Sequence, residues 1–159
     1  MIKPHGSDEL NPLFVYDTEK HEALSKEAET LPSLLLSSSA AGNAVMLGAG
    51  YYNPLTGFMN IADAISCADK MVTTDGVFFP VPVLNLTEKA EGFAVGDRIA
   101  LRDPNVDDNP VLAVQTVTAI ENVSDEQMAL MTDKVYRTND PEHPGVAAFN
   151  AQGQVAVSG

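Results

Sequence analysis

The chain has 159 residues, 45% of them apolar, and 22 acidic against 9 basic side chains leave a formal net charge of -13. That is the size of one globular domain with enough aliphatic content for its own core, which excludes a disordered chain. So acidic a surface repels phosphate backbones and anionic headgroups, so nucleic acid and membrane surfaces are not expected partners, and it repels sulfate and nucleoside triphosphates as well.

Residues 1 to 17 read as irregular chain tied down by Leu13, Phe14, Val15 and Tyr16. Thr18 is the expected N-cap of a helix over Glu19 to Glu29, whose acids crowd the first turn and whose end is set by Pro32. Its thin apolar face, Ala23, Leu24 and Ala28, places it on the surface. Leu34, Leu35 and Leu36 predict a short buried strand bounded by Ser37, Ser38 and Ser39. From Ala40 to Gly57, small residues and Gly42, Gly48, Gly50 and Gly57 predict a tightly bent segment with closely approaching backbone. Asn60 caps a predicted helix through Lys70, with Ile61, Ala64, Ile65 and Ala68 turned to the core. Thr74-Asp75-Gly76 is a turn signal, and Val77 to Leu84 reads as a strand interrupted by Pro80 and Pro82, suited to an edge or a bulge.

A turn at Val95-Gly96-Asp97 feeds a strand through Leu101. The run Val111 to Ile120 is apolar on both faces, as in a barrel strand beneath a helix. Ser124-Asp125-Glu126-Gln127 is a capping box opening a helix through Tyr136, with Met128, Met131 and Val135 inward. Asn139 to Gly145 reads as loop and Val155 to Val157 as a closing strand. Several short strands with peripheral helices predict an α+β fold around a small mixed β-barrel, in a single domain over residues 1–159.

No constellation of catalytic type emerges. Gly48-Ala49-Gly50 puts Asn53 where a dinucleotide fingerprint needs glycine, and Gly-Lys-Ser/Thr is missing from the sequence. Asp103-Pro104-Asn105-Val106-Asp107 opens like a calcium loop, but Asp108 and Val114 stand where glycine and a bidentate glutamate belong, so a solvated Asx-rich turn is expected. His5, His21 and His143 lack metal-site spacing, and His143 before Pro144-Gly145 suits a capping or loop role. Arg98 and Arg102 share a strand face and could hold an anion together, although ion pairs with Asp97 and Asp103 explain them more economically. Cys67 is alone, so it forms no internal disulfide and reads as core. No apolar run approaches the ~18 residues of a membrane span and the start lacks a signal-peptide stretch, so a cytoplasmic location is expected. Asn85-Leu86-Thr87 and Asn122-Val123-Ser124 are then chance sequons.

Taken in order, Lys3-Pro4-His5-Gly6, Ala41-Gly42-Asn43, Asn53-Pro54-Leu55-Thr56-Gly57-Phe58-Met59, Phe79-Pro80-Val81-Pro82-Val83, Gly96 to Asp103 and His143-Pro144-Gly145-Val146 resemble the amino-terminal part of ATP sulfurylase (sulfate adenylyltransferase), most like the bacterial type of sulfur-oxidising and sulfate-reducing organisms. The resemblance spans the whole chain and implies a PUA-like amino-terminal domain. In that family a nucleotidyltransferase domain follows, joining ATP, with magnesium, and sulfate into adenosine 5'-phosphosulfate and diphosphate, or running the reverse. Its Gln-x-Arg-Asn-Pro signature and following histidines are not in this sequence, which ends at Gly159 before the region where they would fall. The resemblance therefore carries no catalytic, cofactor-binding or metal residue onto these positions. Its implied partners are the catalytic domain of the same enzyme and further copies in an oligomer. Asn53 to Met59 and Phe79 to Val83 are candidates for the face that meets the catalytic domain, with ordinary core packing as the alternative. A stand-alone PUA-like binding module is the alternative function.

Overall fold

The structure, a computed structural model, describes residues 2–159; Met1, the first residue of the expected leaderless start, lies outside them. Local chemistry sets most helix starts. Helix α1 (Thr18–Ala28) is capped one residue earlier than expected, by Asp17, whose carboxylate accepts from the Lys20 N–H. Helix α3 (Ile61–Lys70) starts at Asn60, whose side chain accepts from Asp63, and ends on Met71 in the left-handed region at φ 59°. Helix α4 (Asp125–Tyr136) has the full capping box, Ser124 accepting from Gln127 N–H while the Gln127 side chain accepts from Ser124 N–H.

Two helices stand where bends or loop were expected. The segment from Ala40 is helical: α2 (Ser38–Gly48) is capped by Ser37 and buries Ala40, Ala41, Leu47 and Gly48. The alanines around Gly42 outweigh the ~1 kcal/mol that an interior glycine costs. Its amino-terminal signal was the serine run, read above only as the end of a strand. Helix α5 (Pro144–Asn150) occupies the end of the expected loop, with Pro144 in its first turn and His143 as cap, Nδ1 accepting from Gly145 and Val146. The capping role expected of His143 is the one it plays.

The strands are β1 (Ser33–Leu35), β2 (Leu86–Thr87), β3 (Arg98–Arg102), β4 (Val111–Thr116), β5 (Ala119–Asn122) and β6 (Val155–Ser158). They form two three-stranded sheets, β1-β3-β4 and β2-β6-β5. Among the described residues only β1 and β3 pair in parallel. The run Val111 to Ile120, expected as one strand, passes between the sheets. Val117 N–H donates to Asp97 O beside the first sheet and Thr118 N–H to Ser158 O in the second. The mixed α+β character thus matches expectation, but among the described residues the strands make two linked sheets rather than one closed barrel. Val77 to Leu84 forms no named strand either: a single bridge joins Val72 and Phe78, and the two prolines leave the ladder without donors.

One cluster of buried side chains runs through both sheets and the helices, with Leu34, Ile99, Leu101, Leu86, Met131 and Val157 among its members. Helices α3 and α4 pack together, and Lys134 on α4 reaches Asp69 on α3 at 2.8 Å. That hydrogen-bonded lysine holds the Asp69 carboxyl below its ordinary range.

Candidate functional site

The candidate residues do not converge. His5 lies against Phe78, with Nε2 2.6 Å from the Phe78 carbonyl; His21 is on α1; and His143 caps α5. Asp103 makes an Asx turn, its carboxylate accepting from the backbone and side-chain nitrogens of Asn105 at 2.8 and 3.0 Å. Among the described residues no group of three or more His, Cys, Asp or Glu side chains is arranged to hold a metal ion.

The arginines are occupied, by partners other than the neighbouring acids. Arg98 pairs with Glu27 of α1. Arg102 donates to Ser33 Oγ at 3.0 Å and to the Asn109 carbonyl at 3.1 Å. The ladder slips between Leu101 and Arg102, so the regular alternation assumed for this pair does not hold. Asp97 instead accepts from the Ala94 N–H.

Cys67 is fully buried on α3. Burial first, then the charges of Asp63 and Asp75, push its thiol up to about 11. At pH 8 only on the order of one thiol in a thousand is ionised. The native protein should therefore resist a thiol-specific alkylating reagent at pH 8, with labelling, read by intact mass, appearing only in denaturant. Stoichiometric labelling within minutes under native conditions would show the site to be open.

What the fold does assemble is a groove. The amino-terminal arm lies across α2, where Leu13 and Phe14 N–H groups both donate to the Gly48 carbonyl at 2.8 and 3.1 Å. The Phe14 ring lies over Gly48, where a β-carbon would stand 2.5 Å from the ring edge and push it aside. Buried Asn53 fastens the arm from the other side, donating to His5 O and Ser7 Oγ at 2.7 Å each and accepting from Asn11 N–H. The arm is thus tied by its backbone, by Asn53 and by the Phe14 ring over Gly48, although its apolar side chains stay partly exposed. Phe14 remains 46% and Tyr16 78% exposed.

Between this arm, α1 and α2 opens a groove of about 1180 Å³ whose floor is β4. Val111, Leu112, Ala113 and Val114 are all only half-buried. Gln115 lines the groove while nearly buried; its Nε2 donates to the Val157 carbonyl at 3.3 Å and its Oε1 has no protein partner. A smaller hollow of about 550 Å³ beside α4 is lined in part by polar groups paired with one another, Gln154 with Asp125 and Thr132 with Asn139.

The two segments expected at a domain face divide. Phe58, Met59, Phe79 and Val83 are core, with Phe79 edge-on to Tyr52 at 5.8 Å. Thr56, Gly57 and Phe58 also line the groove. Sequence reasoning missed β4 and the arm as one surface. The available signals were the doubly apolar strand and the run Leu13 to Tyr16, but nothing local brings them together.

Comparison with known proteins places this geometry. The PUA-like domain family model matches residues 2–159. Over 159 residues the chain is 67% identical to a sulfate adenylyltransferase of Allochromatium vinosum and 54% identical to one of Alcanivorax borkumensis, covering all of this chain and 40% of each relative. A sulfate adenylyltransferase of the Riftia pachyptila sulfur-oxidizing endosymbiont is 60% identical, with 36% of its length covered. Among solved structures, a hexameric APS kinase from Thiobacillus denitrificans matches all of this chain and 26% of its own, at a TM-score of 0.66 and 28% identity. The chain therefore spans about two-fifths of the length of the curated relatives it matches.

Proposed function

Since the chain belongs to the PUA-like domain family, matched over residues 2–159, we propose that it is the non-catalytic amino-terminal domain of a sulfate adenylyltransferase. The single observation that carries this reading is 67% identity over the whole chain to a sulfate adenylyltransferase of which it covers only 40%.

Electrostatics supports the division of labour. Joining sulfate to the α-phosphorus of ATP brings two polyanions together, so the reaction needs fixed cations and hydrogen-bond donors that converge on both. Here the two arginines of β3 are committed to Glu27, Ser33 and Asn109, and the chain carries a net charge of -13. ATP with magnesium, and sulfate, then belong to the nucleotidyltransferase domain of the same enzyme, which is this domain's partner. Assembly into an oligomer of the whole enzyme fits the hexameric solved relative. No helix among the described residues is long and apolar enough to cross a membrane, which suits the cytoplasmic location of a metabolic enzyme.

The reading is tested by incubating the pure 159-residue chain with ATP, magnesium and sulfate and following pyrophosphate. No release above the enzyme-free blank is expected. Sustained sulfate-dependent turnover would overturn it.

A further inference from the structure

We propose that Asp75-Gly76 is a self-modification site, converting through a cyclic imide to an isoaspartyl linkage. Glycine follows aspartate only here in the sequence, and no asparagine precedes a glycine. The glycine matters because its amide nitrogen has no β-carbon beside it to obstruct attack on the preceding carboxyl group.

The fold presents this pair to solvent. Thr74, Asp75 and Gly76 form the exposed tip of a hairpin, closed by the bridge between Val72 and Phe78 and by Thr73 N–H, which donates to the Val77 carbonyl at 2.8 Å. Gly76 has φ +89° and nothing within 4 Å of a β-carbon, so the tip has room for a ring. The Thr73 hydroxyl donates to Asp75 Oδ1, drawing electron density from the carboxyl group and placing a donor on an oxygen that can depart. One bond opposes the reaction. Gly76 N–H donates to the Thr73 carbonyl at 3.0 Å, so the tip has to open before its nitrogen attacks. The folded chain should therefore convert more slowly than a free peptide of the same sequence.

The chemistry needs only water. With the carboxyl group in its acid form, Gly76 N bonds to Asp75 Cγ, and the departing hydroxyl leaves as water with the proton lost from nitrogen. A water molecule then opens the imide. Breaking the new N–Cγ bond restores aspartate. Breaking the bond from nitrogen to the Asp75 carbonyl carbon instead leaves the chain running through Cβ and Cγ, with a free α-carboxylate. Composition and net charge are unchanged, but the backbone is longer by one carbon.

That carbon enters a tightly bonded turn. On one side stands Thr74, whose N–H and hydroxyl donate to Asp63 Oδ1 of α3 at 2.8 and 2.6 Å. On the other stands Phe78, with His5 Nε2 2.6 Å from its carbonyl. Conversion should loosen the hairpin and, through His5, the start of the amino-terminal arm.

The test keeps the 159-residue chain for weeks in warm, mildly acidic buffer and maps its tryptic peptide Met71–Lys89 by chromatography and mass spectrometry. Expected are a product of unchanged mass and altered retention, methylated by an isoaspartate-specific carboxyl methyltransferase, and a trace lighter by one water. Asp75→Glu keeps the charge but would have to close a larger ring, so it should abolish the product. Gly76→Ala should slow its formation severalfold. In the converted fraction, amides of residues 2–11 should exchange faster than in the unconverted one. An unchanged Asp75 under conditions that convert the free Met71–Lys89 peptide would overturn the proposal, as would the same product from Asp75→Glu. Unaltered exchange of the arm in the converted fraction would overturn its coupling to the hairpin.

Discussion

Replacing Gly153 by alanine is expected to lower the stability of the fold by about 3 kcal/mol, among the larger effects of any single methyl group in this chain. Gly153 has φ +101°, a conformation that L side chains rarely adopt. Its missing β-carbon would also lie 2.3 Å from the Thr87 carbonyl carbon and oxygen and 2.4 Å from Glu88 N. These are backbone atoms at the end of β2, and Thr87 is paired with Val155 of β6. Relief therefore requires β2 to leave its partner, not a side chain to rotate. Gly92 separates the two contributions, because it has φ +84° with nothing within 4 Å of a β-carbon. Alanine there should cost only the conformational part, about 1 kcal/mol. Urea unfolding of both variants reads the difference directly. A Gly153→Ala midpoint no lower than that of Gly92→Ala would show that the close approach of Gly153 to β2 is not a constraint.

Leu86→Ala should cost a similar 2–5 kcal/mol by a different mechanism, the loss of buried surface together with the cavity left behind. Leu86 is 1% exposed in the two-residue strand that pairs with β6, inside the cluster linking both sheets. For a domain of this size each kcal/mol corresponds to about 2–4 °C in Tm, so a fall of roughly 6–12 °C is expected for a cost near 3 kcal/mol. Val106→Ala, at a side chain 49% exposed in a turn, should stay within about 0.5 kcal/mol. Thermal melts followed by circular dichroism distinguish these outcomes. Equal melting of the two variants would mean that β2 is not anchored in the core.

The parts of the fold legible in the sequence are those decided by neighbours in the chain. Asn60 and the Ser124–Gln127 pair announce their helices because each cap is a bond between residues three apart. Helix α2 was obscured because Gly42, Gly48 and Gly50 were read as bends, although Gly48 lies under the Phe14 ring, a tertiary contact that local pattern does not contain. Helix α5 is a seven-residue helix opened by a histidine, which lies outside the usual set of capping residues. The Val77 to Leu84 strand dissolved because Pro80 and Pro82 remove ladder donors that its apolar alternation cannot replace.

The candidate site was less legible still. Its floor is β4 and its wall is the arm from Leu13 to Tyr16, brought together through Gly48 and Asn53. Each half looks like ordinary core or ordinary loop until the fold joins them. The arginine pair shows the reverse case, where local charge pattern named Asp97 and Asp103 as partners and tertiary structure supplied Glu27, Ser33 and Asn109. The family resemblance was read correctly because it rests on several short motifs spread along the whole chain, and the PUA-like family match covers the same span.

The supporting, non-catalytic role is tested most directly by measuring sulfate-dependent pyrophosphate release from three preparations: this chain, the remainder of the Allochromatium vinosum relative, and the two joined. Turnover by the joined protein well above that of the remainder, with none from this chain, is the expected result. Turnover by this chain alone, or a joined protein no more active than the remainder, would contradict the role assigned to it.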